Sequence, residues 1–204
     1  MGMRDLPTKN NLIKLKGFIK QSKQGKKLLE QKKMILKREM DKYKEEQVNL
    51  KKYGENLLTD AFESLKNANV DIGIEEMVSI ANGVKQDDSL DIKYVTVMGV
   101  QIPSVILKSE TKPEMNYGLY NTTSAVDEAI SKFIKVKEYL VQLARIETTI
   151  LRLQISIEKV ERRANALEQV IIPRDEKIAQ KISEILDEME MEEFARQKVM
   201  KKEK

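Results

Sequence analysis

The 204-residue sequence contains no cysteine, no histidine and no tryptophan, and only 5% of its residues are aromatic. These absences exclude disulfides, thiol nucleophiles, zinc sites with Cys or His ligands, haem ligation by those residues and Ser-His-Asp triads. The 8 glycines are scattered, so no glycine-rich phosphate loop is formed. Adjacent acidic pairs point about 100° apart on a helix and do not converge on one ion. The sequence therefore predicts no catalytic, cofactor-binding or metal site, and no cofactor.

Residues that form turns are also scarce. The chain has 8 Gly and 4 Pro, whereas 34% of its residues are charged. Few turns and few aromatic side chains favour long regular elements over a bulky globular core. The longest uncharged stretch, residues 94–107, is too short to span a bilayer, and the N-terminus lacks the apolar run of a secretory signal. We therefore expect a cytoplasmic protein built from long helices, without direct membrane insertion.

Charge is distributed unevenly along the chain. Residues 1–52 hold 16 Lys or Arg against 6 Asp or Glu, a local net charge of +10, whereas residues 53–121 hold 5 against 11, or −6. A basic terminal segment attracts phosphates, acidic proteins or anionic lipid. The alternative is a solvated helix face rich in lysine. Because its few aromatic residues give no stacking platform for single-stranded nucleic acid, we do not expect nucleic acid as a partner.

A heptad pattern predicts a helix from about Thr8 to Asn69. Sixteen positions separated by alternating steps of three and four form its seam, and ten of them are apolar: Leu12, Leu15, Ile19, Leu29, Leu36, Met40, Tyr43, Leu50, Leu57 and Ala61. The other six are Ser22, Lys26, Lys33, Gln47, Gly54 and Ser64. Such a seam is typical of a coiled coil. Gly17, Gly25 and Gly54 lie inside this helix, and two interpretations stay open: close approach of another backbone or a bend, or simple tolerance.

A second heptad seam predicts another long helix from about Ser124 to Lys202. Eight consecutive seam positions are apolar: Ile146, Ile150, Leu153, Ile157, Val160, Ala164, Leu167 and Ile171. Pro173 interrupts the helix, and since proline lacks a backbone N–H and presses on the preceding turn, it predicts a structural kink there. Beyond the proline, the apolar stripe is expected to continue through Ile178, Ile182, Ile185 and Met189.

Residues 70–121 have a different pattern. A short helix is predicted over 74–82, followed by a β-hairpin whose strands, 92–97 and 100–107, are rich in β-branched residues and flank Met98-Gly99. Pro103 restricts the second strand to an edge or a bulge. The predicted fold is mainly α: a long antiparallel two-helix coiled coil, residues 1–69 and 122–204, with a small middle insert, residues 70–121, that contains the short helix and the hairpin.

Three groups of short motifs occur in order along the chain. The N-terminal group is Pro7-Thr8-Lys9, Leu12, Leu15-Lys16, Gly25 and Leu28-Leu29; the middle group is Val97-Met98-Gly99-Val100 with Ile102-Pro103, then Tyr117-Gly118 and Asp127. The most specific group is Arg162-Arg163-Ala164-Asn165-Ala166-Leu167-Glu168, followed by Ile172-Pro173 and Leu186-Asp187-Glu188-Met189-Glu190. Together they resemble the D subunit of the V-type (vacuolar and archaeal) rotary ATPases over essentially the whole chain.

The resemblance implies a non-catalytic central shaft. In that family the shaft has no nucleotide site; it stands inside a ring of alternating A and B subunits and couples ATP hydrolysis or synthesis to rotation and to H⁺ or Na⁺ transport. The implied partners are the catalytic A and B subunits, the F subunit, and a socket subunit that links the shaft to the membrane rotor ring. The implied location is the cytoplasmic, peripheral part of a membrane-bound complex.

On this basis two sets of contact residues are hypothesised. The first set faces the catalytic ring from the paired helix ends, about 8–30 and 175–204: Lys14, Lys16, Lys20, Lys23, Lys26, Lys27, Glu188, Glu190 and Arg196. The second set is the hairpin tip, which is expected to modulate turnover through a partner: Met98, Gly99, Val100 and Pro103. The alternative function is a non-catalytic coiled-coil scaffold or tether with a basic N-terminal helix.

Overall fold

The computed structural model describes residues 6–83, 90–107 and 122–202. Its elements are α1 (Lys9–Ile72), α2 (Ile74–Gly83), β1 (Leu90–Val97), β2 (Val100–Leu107) and α3 (Ser124–Ala166), then one turn of π-helix (Leu167–Ile171), which we call the π-turn, and α4 (Ile172–Lys202). Among these described residues, no helix is both long and apolar enough to cross a membrane. The predicted Tyr117-Gly118 motif lies outside the described residues.

The chain divides into two compact units. Unit 1 comprises Met1–Ile35 and Ile157–Lys204, and unit 2 comprises Leu36–Ser156. The predicted boundaries at 69/70 and 121/122 fall close to the end of α1 at Ile72 and the start of α3 at Ser124. The three-part division itself stays a prediction.

The seam predicted for α1 is confirmed. The helix begins after Thr8, whose Oγ1 accepts a hydrogen bond from the Asn11 backbone N–H at 3.2 Å, so Thr8 is the N-cap. All sixteen predicted seam positions are buried or half-buried. The least exposed are Leu36 and Ala61, both at 0%. The alternation of three and four therefore identified the packed face correctly along the whole helix.

The helices in each unit run antiparallel. In unit 1 an apolar cluster joins Leu15 of α1 to Ala179 and Ile182 of α4. In unit 2 the Phe62 and Phe133 rings meet edge to face at 5.7 Å, and Ala68 clusters with Val126 and Ala129. In both units higher numbers on α1 oppose lower numbers on the C-terminal helices, which confirms the antiparallel coiled coil.

The second long helix consists of three pieces. α3 ends at Ala166, the π-turn follows, and Pro173 is the second residue of α4. The π-turn places the Ile172 backbone N–H in a hydrogen bond with the Leu167 carbonyl, a spacing of five residues. The predicted proline disturbance therefore takes the form of a wider turn immediately before Pro173.

The stripe expected after Pro173 is partly wrong. Ile182 is buried, and Ile178 is half-buried beside the cluster, as predicted. Met189, however, is 52% exposed, and the other buried positions after the proline are Asp175 and Ala179. The π-turn inserts one residue and moves the buried positions to 172, 175, 179 and 182. Met189 continues this shifted spacing, so its exposure has another cause: it lies in the stretch 187–201, which is exposed throughout.

The insert contains the expected hairpin. β1 and β2 pair antiparallel, from Leu90 opposite Leu107 to Val97 opposite Val100. Met98 and Gly99 have φ of 51° and 80°, and positive φ at both central residues is the mark of a type I′ turn. Pro103 lies opposite Tyr94 in a two-stranded sheet, where each strand is an edge. α2 runs one residue past its predicted end.

The three helix glycines differ in their surroundings. A Cβ on Gly54 would lie 2.0 Å from Tyr139 Cζ and 2.3 Å from its Oη, so the ring lies directly against the glycine backbone. A Cβ on Gly17 or Gly25 would meet nothing within 4 Å. Among the three, Gly54 alone has a close neighbour, and that neighbour is a side-chain ring and not another backbone.

Candidate partner-binding surfaces

The predicted lysine set separates into two groups. Lys23 Nζ lies 2.7 Å from Glu176 Oε1, and Lys26 Nζ lies 2.5 Å from Glu168 Oε1, so both lysines bind the partner helix of their own unit. Lys14, Lys16, Lys20 and Lys27 are exposed, and no ion pair is seen for them within the described residues. Spacings of four and seven residues place Lys16, Lys20 and Lys27 on one helix face, which we call the basic stripe.

Two of the three predicted contact residues of α4 already form ion pairs within the chain. Glu190 Oε1 lies 2.5 Å from Lys9 Nζ, and Arg196 Nη2 lies 3.7 Å from Glu192 Oε2. Glu188 is exposed. Hydrogen bonding and attraction by Lys9 lower the pKa of Glu190, and the same pair raises the pKa of Lys9.

The ion pairs seen between the helices of unit 1 have the same arrangement of charge, with the lysine on α1. Four lysines of α1 each bind a glutamate of the C-terminal helices: Lys9–Glu190, Lys23–Glu176, Lys26–Glu168 and Lys33–Glu161. In each of these four pairs α1 supplies the cation, and the glutamate numbers fall as the lysine numbers rise, which matches the antiparallel register. Pairs at an exposed surface contribute little to stability, because water and salt screen them. Their main physical effect is to neutralise part of the positive charge of α1 within the chain.

The hairpin tip is exposed at its turn and buried on β2. Met98 is 53% exposed, and Gly99 is exposed beside it, whereas Val100 and Pro103 are buried. The two predicted residues on β2 therefore pack inward. Of the four predicted tip residues, Met98 and Gly99 are the exposed ones. Contact of this tip with a partner stays a prediction.

One arginine of α3 holds the hairpin in place. Arg152 Nη1 donates a hydrogen bond of 3.0 Å to the Gln101 carbonyl. The same guanidinium lies over the Tyr94 ring, 4.9 Å from its centroid, in a cation–π contact. Arg152 thus contacts both strands. Sequence reasoning missed this residue because an arginine on a helix face carries no signal for a strand that lies about 50 residues earlier in the chain.

Unit 2 also contains an apolar cleft of about 340 Å³. Its lining includes Leu65 from α1, Met77 and Ile80 from α2, and Ile130 and Phe133 from α3. α2 has no buried residue within the described part of the chain, and Ile74 and Val78 are 70% and 53% exposed. The cleft forms because α2 covers the α1–α3 pair incompletely, which no linear pattern predicts.

The C-terminal end of α4 lacks a helix partner within the described part of unit 1. Lys9, the first residue of α1, pairs with Glu190, and residues 187–201 are all exposed. Several large apolar side chains lie there at 59–72% exposure: Met191, Phe194, Val199 and Met200. An exposed apolar helix end of this kind is typical of a surface that is covered by another protein.

Comparison with known proteins identifies the family. The family model described as the D subunit of ATP synthase matches residues 11–202. The A-type ATP synthase D subunit of Pyrococcus horikoshii is 39% identical over 197 residues, covering 96% of this chain and 92% of that protein. The V-type ATP synthase D subunit of Thermotoga neapolitana is 38% identical over 199 residues, 96% of each chain. The predicted resemblance is confirmed, and the chain belongs to the family of ATP synthase D subunits.

Proposed function

We propose that this chain is the central rotor shaft of an A/V-type ATP synthase, coupling ATP hydrolysis or synthesis in the ring of A and B subunits to rotation and H⁺ or Na⁺ transport. The observation that carries the proposal is the family match over residues 11–202. The antiparallel helix pair supports it, because two packed helices resist twisting better than one. In this proposal the chain has no catalytic role of its own and works in the peripheral, cytoplasmic part of the complex.

The unit 1 end of the chain is the proposed contact with the A and B subunits. It combines the exposed apolar end of α4 with the basic stripe of α1. The apolar side chains bury against a sleeve of the ring, and Lys16, Lys20 and Lys27 face its acidic surfaces. Lys23 and Lys26 contribute less, because Glu176 and Glu168 already bind them. The proposed ring contact therefore uses the three lysines of the basic stripe and leaves out Lys14, which is exposed but lies outside that helix face.

Unit 2 is the proposed contact with the F subunit and with the socket subunit that reaches the membrane rotor ring. Its hairpin exposes Tyr94 and Met98, and its apolar cleft presents a preformed groove. We assign the hairpin to modulation of turnover, since it is a small two-stranded element that Arg152 links to α3.

Reconstitution with purified A and B subunits tests the main proposal. ATPase turnover is expected to depend on this chain and to saturate at one copy per ring. Turnover that does not depend on the chain, or a chain that fails to bind the ring, contradicts the proposal.

The basic stripe is tested with two matched triple variants. Substituting Lys16, Lys20 and Lys27 by Gln is expected to weaken ring binding and to flatten its salt dependence. Substituting Lys9, Lys23 and Lys26 by Gln removes the same charge but only breaks pairs inside the chain, so its effect on binding is smaller. Equal effects from both variants contradict the assignment.

Deleting residues 90–107 tests the role of the hairpin. We expect the shortened chain to assemble with the A and B subunits and turnover to change. If the shortened chain no longer enters the ring, the hairpin belongs to the main contact instead.

A further inference from the structure

The buried seam of unit 1 changes phase by one residue at the π-turn. Before it, burial follows steps of three and four through Ile157, Val160 and Ala164. Continued at that spacing, the seam falls on positions 167, 171, 174, 178 and 181. The buried positions after the π-turn are instead 172, 175, 179 and 182, each one residue later. The extra residue therefore lies between 165 and 171.

Backbone hydrogen bonding is weakened at the same place. A π-turn uses bonds of five-residue spacing, which are rare outside such single turns. Pro173 follows directly and has no N–H to donate to the preceding turn. Two residues later, Asp175 is 1% exposed; Arg174 binds its Oδ1 at 3.0 Å, while its buried Oδ2 has no hydrogen-bond partner among the described residues. A buried polar atom without a partner is destabilising.

The facing segment of α1 is weakened as well. Lys26 binds Glu168 within the π-turn, which places Gly25 at its level. Glycine inside a helix destabilises it relative to alanine. A Cβ on Gly25 would meet nothing within 4 Å, so packing does not require this glycine.

We propose that Gly25, the π-turn and Pro173 form a flexing point, at which the helix pair of unit 1 opens and bends more readily than on either side. Three features weaken the pair at one level: the extra residue, the missing proline donor and a glycine that no contact explains. The ion pairs Lys33–Glu161 and Lys9–Glu190 lie on either side of it. The inference concerns the chain itself and does not depend on the proposed function.

Amide hydrogen exchange on the full chain tests the flexing point. Peptides covering 167–177 are expected to exchange about tenfold faster than peptides covering 157–164. Exchange within about twofold between these segments overturns the proposal.

Two alanine variants provide a matched comparison. Gly25→Ala is expected to slow exchange about fivefold both around residue 25 and in 167–177 across the pair. Gly17→Ala adds the same methyl to the same helix, also into open space, and is expected to slow exchange around residue 17 only. If Gly25→Ala leaves 167–177 unchanged, the two helices do not flex together and the proposal is wrong.

Removing the extra residue is a second test. Deletion of Gln169 combined with Pro173→Ala restores the spacing of three and four, because the following buried residues move back by one position. The variant is expected to lose the fast exchange of this segment and to unfold at a higher temperature. A correctly helical variant that keeps the fast exchange overturns the proposal. If the variant does not fold, the comparison of Gly25→Ala with Gly17→Ala decides.

Discussion

Gly54→Ala is expected to destabilise the chain, although alanine favours a helix. Removing a glycine from a helix interior contributes about 1 kcal/mol of stability. Here the new Cβ would lie 2.0 Å from Tyr139 Cζ and 2.3 Å from Cε2. Tyr139 is only 6% exposed, so its ring cannot move aside without disturbing the pair. Overpacking of this kind costs about 1–3 kcal/mol, and three atoms inside contact distance indicate the upper part of that range.

The net expectation for Gly54→Ala is a loss of roughly 1–2 kcal/mol, since the overpacking exceeds the helix gain. For a chain of this size, thermal unfolding followed by circular dichroism would show a Tm lower by about 4 °C. Gly17→Ala is the matched control. It gains the helix propensity of alanine without a clash, so its Tm should rise by about 2–4 °C.

A double-mutant cycle with Tyr139→Leu identifies the cause. The shorter side chain removes the ring from above Gly54, so Gly54→Ala should become stabilising in that background. The reasoning is refuted if Gly54→Ala raises Tm by as much as Gly17→Ala does, or if its cost is the same with and without the Tyr139→Leu substitution.

Three further predictions concern the hairpin and one ion pair. Met98→Asn should stabilise the hairpin by about 1 kcal/mol, because asparagine tolerates positive φ better than methionine, and slower amide exchange across 90–107 would show it. Arg152→Met should speed exchange in those strands at least about fivefold, since it removes the bond to Gln101; unchanged exchange contradicts the anchoring role. In a carboxyl NMR titration, Lys9→Ala should raise the pKa of Glu190 towards its ordinary value. The pair stabilises the chain only between the lowered pKa of the glutamate and the raised pKa of the lysine, and its contribution is lost as pH falls through the first or rises through the second.

The fold was largely predictable because heptad spacing reports directly on burial. The α1 seam holds even at Lys26 and Lys33, polar residues that still lie at half-buried positions where their long side chains reach Glu168 and Glu161. The phase change after Ala164 was not predictable in this way. Pro173 signals a disturbance, but whether the chain kinks or inserts a π-turn depends on packing against α1, which sequence spacing does not contain.

The candidate surfaces were less predictable than the fold. A lysine count does not distinguish Lys23, which pairs with Glu176, from Lys20, for which no ion pair is seen within the described residues. The pairing depends on the register between two helices. Val100 and Pro103 belong to the expected hairpin, yet they pack inward. The cleft beside α2 arises from the contact of three elements, and no single stretch of sequence encodes it.

Rotation of this chain inside a fixed ring is the most direct test of the proposed shaft. Because the sequence contains no cysteine, Met98→Cys provides a unique attachment point for a bead at the exposed hairpin tip. With the A and B subunits immobilised and ATP supplied, the account predicts continuous rotation of the bead in one direction. A bead that stays stationary on a bound chain while the ring hydrolyses ATP would contradict it.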